Sequence, residues 1–117
     1  MEDENLEEIE KYEWGRMTIS PHWSDKSKDY FIYARVLRQS VTFWATKYEG
    51  YKVYLLQIKG AYKIGKDCYG VLVSWFRRGH PKNIDCHEDR LELFDTLEEA
   101  MEQYKREMRD LRERFPI

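Results

Sequence analysis

Four residues in the second half of the chain have side chains that could bind a metal: Cys68, His80, Cys86 and His87. Thiolate and imidazole groups are the usual ligands of zinc, which binds four of them in a tetrahedron. The spacing contains no pair of cysteines separated by two residues, and the adjacent Cys86 and His87 would point apart on an extended strand. We therefore predict no metal site and no cofactor. A Cys68–Cys86 disulfide is the alternative, favoured in an extracellular or hyperthermophilic protein.

A carboxylate and a lysine also occur near one another in the centre of the chain. Glu49 precedes Gln57-Ile58-Lys59, which resembles the acid…(E/Q)-x-K arrangement of the PD-(D/E)xK nucleases. In that family the carboxylates bind Mg²⁺ and the lysine positions the attacking water, so the resemblance implies a metal-dependent nuclease. The aspartate of the family pattern is missing here, and no phosphate-binding glycine loop or serine nucleophile motif is present. A nuclease is therefore a minor alternative, and we predict no catalytic residue.

Aromatic and basic residues form the more extensive pattern. Residues 26–82 carry a net charge of +9 and twelve of the eighteen aromatic residues, whereas residues 1–25 and 83–117 carry −6 and −5. Such asymmetry is typical of a surface that binds an anion, although a basic sheet beside acidic helices would give the same totals.

We predict that seven of these residues share the solvent face of one sheet: Tyr33, Arg35, Trp44, Lys52, Tyr54, Trp75 and Arg77. Four further cations would extend the basic track, namely Lys59, Lys63, Lys66 and Arg78. Bases stack on aromatic rings with about 1–3 kcal/mol each, while cations bind phosphates. The pattern therefore predicts a non-catalytic protein that binds nucleic acid. The alternative is a protein-interaction or inhibitor module, such as a regulatory or mobile-element accessory protein, since exposed Trp, Tyr and Arg are also typical of interface hot spots. A homodimer that covers the rings is a further alternative.

The segment 41–58 is expected to place several of these residues, because two runs rich in β-branched and aromatic residues meet near Gly50. We predict a hairpin with the loop Tyr48-Glu49-Gly50 and a left-handed Gly50. In that register Trp44 lies opposite Tyr54, and a two-residue loop would place it opposite Leu55 instead. One face would carry the apolar set Val41, Phe43, Ala45, Val53 and Leu55.

The last twenty residues have the strongest helical pattern. Apolar residues recur at helical spacing from Leu97 to Phe115, and Thr96 with Glu99 forms a capping box. The sequence therefore predicts a single α+β domain over 1–117. It has a mainly β region over 14–94 with an antiparallel sheet of about five strands, and a helix over 96–115 on the Phe43 face. Residues 1–13 are predicted to be an acidic arm or a short helix.

No apolar stretch approaches the ~20 residues of a membrane helix, and the acidic start of the chain has no signal-peptide h-region. We therefore expect a cytoplasmic protein with no membrane partner. Charged residues make up 36% of the chain and amide residues are scarce, a balance common in thermophilic proteins.

Overall fold

The computed structural model describes residues 13–60, 66–78 and 86–116. Within these ranges the chain forms six β-strands, one short 3₁₀ turn over Lys26–Lys28 and one α-helix. The strands are β1 (Gly15–Ile19), β2 (Tyr30–Gln39), β3 (Phe43–Trp44), β4 (Glu49–Ile58), β5 (Cys68–Arg77) and β6 (Cys86–Phe94). The helix α1 spans Leu97–Arg114. The predicted α+β class, with one antiparallel sheet and a C-terminal helix, is confirmed. The predicted N-terminal arm or helix lies almost wholly outside the described residues.

All pairings in the sheet are antiparallel, and the strand order is β1-β2-β4-β5-β6. The two-residue β3 also pairs with β4, beyond the end of β2. Strand β4 is therefore the centre of the sheet: β2 and β3 share one of its edges, and β5 pairs with it along its full length. A register shift between Val36 and Arg38 bends β2, as a β-bulge does.

The helix forms where local signals predict it. Thr96 is the N-cap, and its Oγ1 accepts a hydrogen bond from the Glu99 amide at 3.2 Å, which confirms the capping interaction. Its buried side chains are Ala100, Tyr104, Met108 and Leu111. These side chains pack against Phe43, Val53, Leu55, Val71 and Val73 of the sheet, so the predicted covering of the Phe43 face is confirmed. Among the described residues, no helix has both the length and the apolar composition that crossing a membrane requires.

The opposite face of the sheet has an apolar cluster of its own. It consists of Ile19, Ile32, Ala34, Leu56, Ile58, Cys68 and Leu72, each at most 5% exposed. Because β1 and β5 both contribute to this cluster although two strands separate them, the sheet must curl around it. We call the face that carries this second cluster the inner face, and the face that carries α1 the helix face.

A buried aspartate connects the two edges of the curled sheet. Asp89 of β6 accepts a hydrogen bond from the Ser20 amide through Oδ2 at 2.9 Å, and its own amide donates to the Ser20 carbonyl at 2.8 Å. Its Oδ1 accepts from the Ser74 hydroxyl at 2.7 Å. Asp89 is 7% exposed, so these donors compensate for the lost hydration of its carboxylate.

The predicted hairpin is correct in its apolar face but wrong in its turn. Phe43, Val53 and Leu55 lie in one cluster as predicted. Trp44, however, pairs with Gly50 rather than with Tyr54 or Leu55, and the turn spans residues 45–48. Thr46 closes this turn, because its Oγ1 accepts from the amides of the two residues before Gly50. Among the described glycines the positive φ belongs to Gly60 rather than to Gly50.

Strand register also excludes the Cys68–Cys86 disulfide. Cys86 pairs with Arg77, nine residues along β5 from Cys68. At about 3.3 Å per residue this separates the two backbones by about 30 Å, whereas the Cα atoms of a disulfide lie within about 7 Å. Cys68 is buried.

Candidate functional site

The structure distributes the predicted binding residues over three places instead of one face. In β4 and β5, Lys52 pairs with Ser74 and Tyr51 pairs with Trp75. Neighbouring residues of a strand point to opposite faces, so Trp75 lies on the helix face while Lys52 and Tyr54 lie on the inner face. The prediction that all seven residues share one solvent face is therefore wrong.

The largest group of exposed rings and cations lies on the helix face, on β1 and β2. We call it the Trp14 surface; its members are Trp14, Arg16, Phe31, Tyr33, Arg35 and Lys59. The helix packs on β4, β5 and β6, so among the elements that the structure describes it does not cover this part of the face. Phe31 and Tyr33 are 59% and 48% exposed, and Phe31 has the highest exposure of any described large hydrophobic side chain. Adjacent exposed rings of this kind are typical of a binding surface.

Pairing of β1 with β2 brings these side chains together. Arg16 pairs with Tyr33, and Thr18 pairs with Phe31. On β2 the apolar residues Ile32 and Ala34 point to the inner face, which leaves Phe31, Tyr33 and Arg35 on the helix face. The alternation that buries one side of β2 thus exposes the rings on the other side.

Rings and cations alternate across the Trp14 surface. Trp14 stacks on Tyr33 with centroids 5.9 Å apart and an interplanar angle of 15°. The Arg35 Cζ and the Lys59 Nζ lie 5.2 and 4.9 Å from the centroid of the Trp14 ring. The Arg16 Cζ lies 4.6 Å from the centroid of the Phe31 ring. Each cation is therefore within the distance at which the ring quadrupole attracts it.

Two hydrogen bonds position Arg35 and the backbone of Lys59. Arg35 Nε donates to the Gln57 side-chain oxygen at 3.0 Å, so Gln57 orients a guanidinium rather than a catalytic water. The Lys59 amide donates to the Tyr33 carbonyl at 2.9 Å, which holds the start of the loop after β4 against β2. Among the residues that the structure describes, no carboxylate forms an ion pair with Arg16, Arg35 or Lys59.

A second group of rings and cations lies on the inner face at the other end of β4. We call it the Trp44 surface; its members are Trp44, Lys52, Tyr54, Phe76 and Arg78. Trp44 contacts Phe76 edge to face at 5.4 Å, and the Arg78 Cζ lies 5.2 Å from the centroid of the Trp44 ring. Lys52 Nζ lies 5.6 Å from the Tyr54 centroid. Gly50 permits this packing, since a Cβ there would lie 2.8 Å from Phe76 Cζ.

The remaining predicted residues that the structure describes contribute to neither surface. Trp75 is half-buried, donates from Nε1 to Glu49 at 3.4 Å, and lines a cleft of about 270 Å³ beside the C-terminal half of α1. Arg77, paired with Glu49, is at the same end of the sheet. Lys66 is exposed just before β5, and Lys63 lies outside the described residues.

The geometry separates the two residues on which the resemblance to the nucleases depends. Glu49 begins β4 and Lys59 follows its last residue, so about 30 Å of strand separates the two. No group of three or more His, Cys, Asp or Glu side chains is placed to hold a metal ion within the described ranges. Of the four residues considered as zinc ligands, His80 lies outside those ranges and Cys68 is buried in the inner cluster.

The Ser74–Asp89–His87 group is also not a nucleophilic triad. In a triad the imidazole stands between the hydroxyl and the carboxylate. Here Asp89 is in the middle, with the Ser74 hydroxyl at 2.7 Å and the His87 Nε2 at 3.5 Å. The Ser74 hydroxyl donates to a carboxylate instead of an imidazole, and the arrangement joins β5 and β6.

Comparisons of the chain with known protein families, with curated proteins and with solved structures give no match.

Proposed function

We propose that the protein binds single-stranded nucleic acid, without catalysis, through the Trp14 surface. The supporting observation is the combination of two exposed rings, Phe31 and Tyr33, with three cations that have no carboxylate partner among the described residues. Rings stack on bases and cations contact phosphates, which are the two requirements of single-strand binding.

The spacing of the rings favours a single strand over a duplex. Phe31 and Tyr33 are two residues apart on one strand, so their Cα atoms are separated by about 6.6 Å. Stacked bases in a duplex rise by about 3.4 Å per step and keep their faces covered. A splayed single strand can place successive bases on rings at the larger spacing. Arg16, which lies over Phe31, adds a guanidinium plane on which a base also stacks.

Fluorescence anisotropy with a labelled twelve-nucleotide strand tests this proposal, using DNA and RNA in single-stranded and duplex form at low salt. We expect Tyr33→Ala and Phe31→Ala each to weaken single-strand binding by about 5- to 150-fold, from the ~1–3 kcal/mol of one stacked base. Trp23→Ala is the matched control, because Trp23 is 52% exposed but lies in the loop after β1. Absence of binding at low salt, or an equal effect of all three variants, would refute the proposal.

A protein partner is the second candidate, and the Trp44 surface favours it. This surface combines Trp, Tyr and Arg, the residue types enriched in interface hot spots, and Trp44 is 44% exposed. A hot-spot interface depends weakly on salt, whereas binding to phosphates weakens steeply as salt increases. A second copy of the chain is one such partner, and the homodimer stays a prediction.

A cytoplasmic location is part of the proposal. The placement of the two cysteines at opposite ends of β5 supports it, since cysteines too far apart to pair with each other are ordinary in reducing compartments.

A further inference from the structure

The segment that precedes the Trp14 surface has the opposite charge to it. Residues 1–12 contain six acids and one base: Glu2, Asp3, Glu4, Glu7, Glu8, Glu10 and Lys11. Glu13, which is exposed, adds a further carboxylate directly before Trp14. With Glu13 the stretch 1–13 has a net charge of −6, and it is covalently attached to the surface that carries Arg16, Arg35 and Lys59.

The point of attachment is inside the cationic group. The Trp14 ring lies 4.9 Å from the Lys59 Nζ and 5.2 Å from the Arg35 Cζ. Four residues of chain span at most about 14 Å, so Glu10 and Glu13 are within reach of both cations without crossing the sheet. The cations of the Trp44 surface lie on the opposite face, Lys52 about 23 Å and Arg78 about 36 Å along the strand direction from Lys59.

We propose that residues 1–12 are an intramolecular ligand of the Trp14 surface, which they occupy through their carboxylates. A short tether gives the segment an effective concentration in the millimolar range. Even an intrinsic dissociation constant of about 0.1 mM then keeps the surface about nine-tenths occupied and reduces its apparent affinity for another anion about tenfold. The occupation of the Trp14 surface is inferred from the charges of the segment and from the point at which it is attached. Only the competition with nucleic acid rests on the proposed function.

The test compares two full-length variants with the same change in net charge. The first neutralises the segment through Glu4→Gln, Glu7→Gln, Glu8→Gln and Glu10→Gln. The control neutralises four exposed acids of β6 and α1 through Glu92→Gln, Glu98→Gln, Glu102→Gln and Glu113→Gln. Acylation of lysines by a neutral amine-reactive reagent is followed by peptide mass spectrometry. The rate at Lys59 is divided by the rate at the exposed helix residue Lys105 in the same sample.

We expect the first variant to raise the Lys59:Lys105 ratio several-fold at low salt, and the control to leave it unchanged. At 0.5 M salt the ratio of the wild-type chain should rise to that of the first variant, since screening releases exposed charges. Equal ratios in all three chains at low salt would overturn the inference, as would an equal rise in the control.

Nucleic-acid affinity separates this inference from the proposed function. If the first variant shows the higher Lys59 ratio but no chain binds an oligonucleotide, the intramolecular ligand is retained and the nucleic-acid proposal fails. If all chains bind the single strand with the same affinity, competition by the segment is refuted while the proposed function is retained. An affinity about tenfold higher in the first variant alone supports both.

Discussion

Replacing Lys59 by Gln should change the salt dependence of single-strand binding by a predictable amount. Three cations on the Trp14 surface, Arg16, Arg35 and Lys59, face the proposed path of the phosphates. Each phosphate neutralised on a single strand contributes about −0.7 to the slope of log K against log salt concentration. Three contacts therefore give a slope of about −2.1, and two contacts a slope of about −1.4.

These slopes convert into measurable losses of affinity. Between 50 and 200 mM salt, a slope of −2.1 lowers the affinity about 18-fold, whereas a slope of −1.4 lowers it about 7-fold. The substitution should cost little stability, because the Lys59 side chain is exposed and its amide-to-Tyr33 hydrogen bond is retained by any residue except proline.

The assay is anisotropy of a labelled single strand at five salt concentrations. All chains carry the four Glu→Gln changes of residues 4–10, so that salt-dependent release of the acidic segment does not contribute to the slope. Lys105→Gln on the exposed side of α1 is the control with the same charge change, and its slope should remain near −2.1. Equal slopes for Lys59→Gln and Lys105→Gln would refute the placement of phosphates on this surface. A slope near zero in every chain would instead favour a ligand held by apolar contacts.

Three further predictions concern the scaffold that carries these surfaces. Asp89→Ala should lower the free energy of unfolding, measured by urea titration, by about 3 kcal/mol, because the buried Ser20 amide and Ser74 hydroxyl lose a charged acceptor. A loss below about 1 kcal/mol would contradict the role of Asp89 in joining β1 and β6. Gly50→Ala should lower the free energy of unfolding by about 1–3 kcal/mol, since its Cβ would lie 2.8 Å from Phe76 Cζ and 2.9 Å from Thr42 Cγ2. Gly15→Ala is the control, because no atom lies within 4 Å of a Cβ at that position. Equal stability of the two variants would refute the packing argument. Asp25 should titrate in NMR with a pKa below its ordinary value of 3.8, chiefly because the Ser27 hydroxyl and then the Ser27 amide donate to its carboxylate, and Ser27→Ala should move the pKa back up. Since the folded-state pKa is the lower one, this contact contributes stability above the unfolded-state pKa and loses it as the pH falls through the lowered value; an Asp25 pKa that Ser27→Ala leaves unchanged would contradict the assignment.

The features that could be predicted from the sequence are those set by residues close together in the chain. Thr96 and Glu99 are three residues apart, so the start of α1 could be predicted from the capping pattern alone. The apolar alternation in β2 likewise predicts which side of that strand is buried. Both signals lie within one element, and neither requires knowledge of its neighbour.

Register between strands could not be predicted in the same way. A shift by one residue exchanges every side chain between the two faces of a strand, and the apolar pattern fixes register only where one face is polar. Both faces of β4 and β5 are buried over most of their length: Val53 and Leu55 lie under the helix, while Leu56 and Ile58 lie in the inner cluster. The sequence of these two strands therefore gives no clear alternation, and Trp75 was predicted to lie on the wrong face.

Three members of the Trp14 surface, Trp14, Arg16 and Phe31, were missed for a related reason. They come together only through the long-range pairing of β1 with β2. A partial signal exists in the sequence, because Trp14 and Arg16, like Phe31, Tyr33 and Arg35, alternate with the residues that are buried in the inner cluster. A search for two such alternating sets in adjacent strands would have found them.

The net charge of a sequence segment also does not give the net charge of a surface. The +9 of residues 26–82 is divided in the fold: Arg35 and Lys59 belong to the Trp14 surface, and Lys52 and Arg78 belong to the Trp44 surface. Arg16, from the acidic first part of the chain, joins Arg35 and Lys59. Because successive residues of a strand face opposite sides, a basic stretch that spans several strands supplies cations to both faces of a sheet. The local pairing of each cation with a ring, rather than the net charge of a segment, is therefore what distinguishes one surface from the other.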